Sequence, residues 1–196
     1  MKKYKVILAD PPWDYGSSNS NERTKKWDSS KKEYKRRRFR GAASWYPLMK
    51  TEEIKNLKIS KFCDKDCVLF LWATFPKLQD ALEVIKTWGF NYKTIGFIWI
   101  KIAKNGIPRK RGIGHYTYPN SEPCLIATKG YPKINQRCSS ILLTHEFLKQ
   151  FSKKPDIQYL KIEAMFNGPY LELFSRRQKE GWDVWGNQVN SNISLL

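Results

Sequence analysis

The apolar run Lys5–Ala9, KVILA, is stopped by Asp10-Pro11-Pro12. Four apolar side chains in succession read as a short strand buried on both faces. Two consecutive prolines cannot extend it, because neither has the N–H that a ladder requires and both fix φ. A buried strand must therefore end here in a rigid loop. Cys67–Trp72 reads the same way, Tyr92–Ile100 and Pro123–Thr128 are strand-like, and Tyr170–Phe174 and Trp182–Trp185 are the last strand candidates. Between these runs the period changes. Leu78, Ala81, Leu82, Ile85 and Trp88 fall at helical spacing, and Gly89 follows as a stop. Pro155 suits a first helical position and Asp156 suits the helix dipole, with Ile157, Leu160 and Ala164 as the apolar stripe. Alternation of strand and helix predicts an α/β domain with a largely parallel sheet, whose ligands lie at the carboxyl ends of the strands.

At 196 residues the chain suits a single domain, 1–196. With 41% hydrophobic residues it is not a disordered polymer. No run is apolar for long enough to span a membrane, and the N-terminus has too few apolar residues before Asp10 for a signal peptide. The expected location is the cytoplasm, where Cys63, Cys67, Cys124 and Cys138 are reduced thiols. Charge is the unusual quantity. Lys and Arg number 36 against 18 acids, a formal net charge of +18, which points to a polyanionic partner and first to nucleic acid. The charge is concentrated. Residues 22–40 hold ten Lys or Arg against three acids, and residues 101–111 hold five and no acid. Both stretches are expected to be loops. In the first, Trp27, Tyr34 and Phe39 are interleaved with the cations, a pattern that suits base stacking beside phosphate neutralisation. Lys35, Arg36, Arg37 and Arg38 are the densest part.

Several chemical signatures are absent. Gly112-Ile113-Gly114 has no third glycine in register, and there is no phosphate-loop lysine motif, Gly-x-Ser-x-Gly or His-Glu-x-x-His. The cysteines, His115 and His145 lack paired metal-ligand spacing, so no metal is expected. What remains is Ala9-Asp10-Pro11-Pro12-Trp13. The Asp10 carboxylate and the carbonyls of a donor-free Pro-Pro turn are acceptors, and Trp13 offers a flat ring beside them. Acceptors next to a ring suit a planar group that presents an amino edge, such as adenine.

With that motif the chain resembles the MT-A70-type adenine-N6 methyltransferases. Leu69–Trp72, Trp99–Lys101, Gly114–Tyr116, Asn120–Lys129, Lys154–Asp156, Glu172–Phe174 and Gly186–Gln188 carry the rest of the resemblance, in that order. The resemblance implies a Rossmann-like class I methyltransferase domain with a basic insertion at 22–40, using S-adenosylmethionine. It implies that Asp10 and the Pro11 carbonyl orient the target amine, that Pro12 shapes the loop, and that Trp13 packs on the base or cofactor. Asp10, Lys154, Arg176, Asn187 and Gln188 are the implied cofactor residues: Lys154 for the carboxylate, Asn187 and Gln188 for the ribose. Tyr46 and Tyr116 fall near active-site loops, and Glu122 is placed to orient one of them. The sequence departs from the family in having only nine residues before Asp10 and Arg177-Gln178 where some members have Pro-His. The reaction implied is methyl transfer to adenine N6 in DNA, since the chain is compact, in the manner of a prokaryotic or phage protein, and carries no separate RNA-binding module. The alternatives are an RNA substrate, a catalytically silent nucleic-acid-binding subunit, or cytosine-N4 methylation. A homodimer or a related partner subunit stays open.

Overall fold

The computed structural model describes residues 1–15, 25–28, 33–36, 47–108, 116–118, 120–145 and 153–195. Strand β1 (Tyr4–Ala9) is buried at every position except Lys5, as a run without polar alternation requires. Its neighbours explain why. The central sheet has seven strands in the order β7-β5-β6-β4-β1-β8-β9, so β1 lies in its interior. The other strands are β4 (Cys63–Trp72), β5 (Asn91–Ile102), β6 (Ser121–Lys129), β7 (Ile141–His145), β8 (Tyr170–Leu173) and β9 (Trp182–Trp185). β1 pairs in parallel with β4 and β8, β8 with β9, and β5 with β7. Only β6 runs the other way, antiparallel to both β4 and β5. The largely parallel α/β sheet expected from the sequence is therefore what forms. From β1 the sheet grows towards β4 on one side and towards β8 on the other. This topological switch opens a crevice at the strands' carboxyl ends, where Asp10 lies.

Apolar layers cover both faces. Ile7, Ala9, Leu69, Leu71, Leu125 and Ala127 pack with helices α1 (Thr51–Lys55) and α2 (Leu78–Thr87). Val6, Leu8, Val68, Phe70, Trp72, Phe97 and Trp99 pack with helix α3 (Ile157–Met165). Helix α2 begins after a tight turn at Phe75–Lys77 and ends at Trp88, with Gly89 at φ +83°. Its buried face is Ala81, Val84 and Ile85, while Leu82 is exposed.

Helix α3 corrects the sequence expectation more sharply. Ile157 and Leu160, two of the three expected stripe residues, are exposed, and the buried residues are Gln158, Tyr159, Ile162 and Met165. The polar pair is satisfied inside. Gln158 Oε1 accepts the Trp72 indole N–H at 2.7 Å, and the Tyr159 hydroxyl donates to Glu172 at 3.0 Å. A buried polar group with partners costs little, so these bonds and the Tyr159–Trp182 ring contact set the helix's rotation. Pro155 precedes the regular helix, heading a first turn closed by the Gln158 N–H on its carbonyl.

The two basic stretches are not simply loops. Residues 22–40 contain an antiparallel hairpin, β2 (Lys25–Asp28) and β3 (Glu33–Arg36), with Trp27 opposite Tyr34. In the second stretch, Lys101 and Ile102 complete β5. Strand β7 and helix α1 carry too few periodic residues to announce themselves in the sequence. The cysteines are free, three of them buried. Among the described residues no helix is long and apolar enough to cross a membrane.

Candidate active site

Asp10 leaves the carboxyl end of β1, and the loop after it is held by backbone bonds. The Trp13 N–H donates to the Pro11 carbonyl at 2.9 Å across a three-residue turn. The Met49 N–H donates to the Pro12 carbonyl at 2.8 Å, and Asp14 N–H donates to the Met49 carbonyl at 3.0 Å. The Pro11 and Pro12 carbonyls each accept one backbone N–H and keep one lone pair, so the strongest acceptor at the strand end is the Asp10 carboxylate, with the second lone pair of the Pro11 carbonyl beside it. Trp13 is 5% exposed and donates its indole N–H to the Trp72 carbonyl at 3.1 Å. The flat face expected beside the acceptors is buried in the core. Trp13 braces the end of β1 against the end of β4.

Lys154, just before α3, is buried with its ammonium 2.7 and 2.8 Å from the two Asp10 oxygens and 3.2 Å from Glu122 Oε2. Glu122 reaches this place because β6 is reversed: its first residues lie where the parallel strands end. The other Glu122 oxygen accepts from Lys101 on β5. The ammonium of Lys154 lies over the Trp72 ring at 5.3 Å, and that of Lys101 lies over Trp99 at 4.5 Å. Burial pushes the Asp10 carboxyl above its ordinary range, and Lys154 opposes the shift. Burial also acts on Glu122, but Lys154 and Lys101 together hold it below the ordinary range. Burial would lower the Lys154 value, yet Asp10 and Glu122 keep it raised and the group charged.

The loops after β8 and β9 form the neighbouring part of the crevice. The Ser175 N–H donates to the Trp185 carbonyl at 2.9 Å. A Cβ on Gly186 would overlap the Ser175 carbonyl oxygen, so only glycine permits this approach. Arg176 Nε then donates to Gln188 Oε1 at 3.2 Å, and Asn187 is exposed beside it. Gln178, which stands in the family's Pro-His position, is drawn elsewhere and donates to the Asn190 carbonyl at 2.8 Å. Glu172 on β8 is buried between the Tyr159 hydroxyl and Ser175 Oγ, the latter at 2.9 Å. Burial, and then the charge of Asp10, push its carboxyl up to about 7 against the hydrogen bonds that oppose the shift.

The structure thus brings Asp10, Pro11, Lys154 and Glu122 together at one strand end, with Arg176, Asn187 and Gln188 on adjoining loops. Tyr116 is fully exposed. Tyr46, Arg37 and Arg38 lie outside the described residues. Lys35 and Arg36 stand in β3, opposite Lys26 and Lys25, and their side chains are likewise outside the description. Lys101, Trp72 and Tyr159 went unrecognised as parts of this arrangement. The one available signal was that Trp99-Ile100-Lys101 and Glu122 belong to the same ordered motif set.

The MT-A70 family model matches residues 4–188. The chain is 35% identical over 196 residues to the type II methyltransferase M.MunI of Mycoplasma sp, covering 97% of this chain and 80% of the relative. It is 27% identical to an N(6)-adenosine-methyltransferase MT-A70-like protein of Arabidopsis thaliana, covering 94% of this chain but 24% of the relative. It is 28% identical to the N(6)-adenosine-methyltransferase catalytic subunit METTL3 of Homo sapiens, covering 100% of this chain and 30% of the relative.

Proposed function

The chain belongs to the MT-A70 family and is an N6-adenine methyltransferase, and from that premise we propose that it methylates DNA with S-adenosylmethionine as the methyl donor. The observation that carries the site assignment is the pairing of the buried Lys154 ammonium with the half-buried Asp10 carboxylate at the carboxyl end of β1. The N6 lone pair of adenine is delocalised into the ring and is a poor nucleophile. Acceptors fixed on its N–H bonds favour a pyramidal amine whose lone pair is free to react. Asp10 and the Pro11 carbonyl supply those acceptors, and Lys154 fixes the direction of the carboxylate.

The residues suit the cofactor by the chemistry of their donors. The guanidinium of Arg176 and the amides of Asn187 and Gln188 stand on adjoining loops at the strand ends, and match a carboxylate and ribose hydroxyls. S-adenosylmethionine, when bound, supplies an electrophilic methyl on a sulfonium that is already a good leaving group. Arg176, Asn187 and Gln188 would hold it, whereas the three donors of Lys154, expected from the resemblance to meet its carboxylate, are taken by Asp10 and Glu122. Trp13 keeps the loop closed without touching the base.

DNA is preferred because the relative matched over 80% of its length is a type II methyltransferase. The relatives named for adenosine, a ribonucleoside, are covered over only 24% and 30% of theirs. The net charge of +18 supports a polyanionic substrate, and the β2–β3 hairpin supports a dedicated contact to its phosphates. Mycoplasma as the source of that relative supports action in a prokaryotic cytoplasm.

The test is mass spectrometry of nucleosides from DNA and RNA of cells expressing the protein, with Asp10→Ala alongside. N6-methyldeoxyadenosine should appear with the wild type and fall more than tenfold with Asp10→Ala. Methylation confined to RNA would replace the substrate, and an Asp10→Ala protein of undiminished activity would overturn the site.

A further inference from the structure

We propose that Lys101 is a positioning residue for the methyl transfer, acting on Asp10 through Glu122 and Lys154 as the far end of a chain of alternating charges. The inference rests on the reading of Asp10 as the acceptor for the target amine.

The chain runs Asp10, Lys154, Glu122, Lys101, and its contacts are divided so that no oxygen is shared. Lys154 takes both oxygens of Asp10 and Oε2 of Glu122, while Lys101 takes Oε1. The side chains are 33% exposed at Asp10, 7% at Lys154, 14% at Glu122 and 21% at Lys101. The chain is thus most open at the end that would meet substrate and closed in its middle.

Its geometry is set by strands rather than loops. Trp99 faces Glu122 across the β5–β6 ladder, and Lys101 is two residues further along the same face. Two indoles support the cations. Trp72 and Trp99 meet edge-on with centroids 6.5 Å apart, under Lys154 and Lys101 respectively. Each ring is pinned at its N–H, Trp72 by Gln158 of α3 and Trp99 by Thr144 of β7, both at 2.7 Å. The interior polar residue of α3 and the edge strand β7 thereby acquire a role that the core alone does not explain.

Lys101 matters because Glu122 would otherwise be a competitor. A carboxylate with one cation between it and Asp10 draws that cation towards itself and repels the Asp10 charge. With Lys101 bound to Oε1, Glu122 is neutralised from behind and Lys154 stays on Asp10. The titratable and charged groups facing Asp10 are Lys154 before α3, Glu122 and the Cys124 thiol of β6, Arg176 after β8, and Glu172 of β8. Of these described groups Glu122 is the one that Lys101 contacts, and Glu122 in turn meets Lys154, so a change at Lys101 reaches Asp10 by this route. An acceptor carboxylate must be ionised, and activity falls as pH drops through its titration. Loss of the Lys101 charge leaves Glu122 uncompensated, so Asp10 should protonate more readily and the acid limb should move to higher pH. Removal of the Glu122 charge has the opposite sign and should move the limb to lower pH.

The experiment measures kcat against pH on the nucleic acid that the wild type methylates, for Lys101→Met, Lys101→Arg, Glu122→Gln and Asp10→Ala. Lys101→Met should move the acid limb up by about one pH unit. On the acid side of the limb it should therefore lower kcat about tenfold, with KM for S-adenosylmethionine within about twofold of wild type. Lys101→Arg should restore the wild-type profile, and Glu122→Gln should move the limb down. A Lys101→Met enzyme with the wild-type profile overturns the proposal, as does a shift of the same sign in Lys101→Met and Glu122→Gln. If Lys101→Met does not fold, Lys101→Arg and Glu122→Gln still decide: a Glu122→Gln limb that stays put or rises overturns the proposal. Full activity in Asp10→Ala would sink the underlying site reading instead. An inactive Asp10→Ala beside an unshifted Lys101→Met sinks only the relay.

Discussion

Lys154→Met isolates the energetic centre of the site, because methionine keeps the stem's volume and removes only the ammonium. Breaking a buried ion pair by deleting one partner costs about 3–5 kcal/mol, since the other charge is left without compensation. Here Glu122 keeps Lys101, so the uncompensated group is Asp10. Its side chain is 33% exposed, and water reaching it lowers the expected cost to about 2–3 kcal/mol. With a urea m-value of roughly 2–3 kcal/mol/M, the midpoint should fall by about 1 M at neutral pH with the slope unchanged. The sign with pH is fixed by Asp10. Its folded value is already raised above 3.8, and losing Lys154 raises it further. A raised carboxyl contributes stability that is present below its unfolded value and lost as pH rises through its folded value. The variant should therefore lie closest to wild type at about pH 4 and fall away towards neutral. Asp10→Asn in the Lys154→Met background should recover about 1 kcal/mol or more, because the orphaned charge is gone. A wild-type midpoint for Lys154→Met at pH 7, or strict additivity in the double mutant, would refute the reasoning.

Glu172 should make wild-type stability pH-dependent. Its carboxyl is raised to about 7, so its contribution is lost as pH rises from about 4.5 through 7. Glu172→Gln, which mimics the protonated acid, should gain about 2 kcal/mol on wild type between pH 5.5 and 8.5 in urea melts, and a constant difference would refute this. Gly186→Ala should force Ser175 and with it Arg176 from their places, costing about 1–3 kcal/mol. Calorimetric titration with S-adenosylmethionine should show an affinity at least about tenfold weaker, and wild-type binding would contradict the site. Replacing Lys35–Arg38 with Ser and Gly should flatten the slope of log affinity for duplex DNA against log salt by about two to four. An unchanged slope would remove the hairpin from the nucleic-acid contact.

The parts of this fold that were legible in the sequence are those written locally. A run such as Lys5–Ala9 can only be a buried strand, and Pro11-Pro12 can only end it, so β1 and its loop follow from neighbouring residues. Cys67–Trp72, another apolar run, is legible for the same reason. Helix α3 was not, because hydropathy ranks Leu160 above Gln158, whereas the packed molecule ranks them by available partners. The hairpin in residues 22–40 was hidden by its charges, which say nothing of backbone pairing between Trp27 and Tyr34.

The site shows the same division more plainly. Asp10 stands out in the sequence because its own neighbours are unusual, but what holds it comes from positions 144 and 112 residues away, at Lys154 and Glu122. Which residue meets which is decided by the direction of β6. In an all-parallel sheet the residues that begin β6 would lie at the amino ends, and Glu122 would be far from Asp10. Reversal of this single strand delivers a carboxylate to the carboxyl edge, and its antiparallel pairing with β5 sets Trp99 and Lys101 beside it. Register of this kind is a property of the assembled sheet. A motif can name the acceptor, but the charge that makes it an acceptor is supplied by topology.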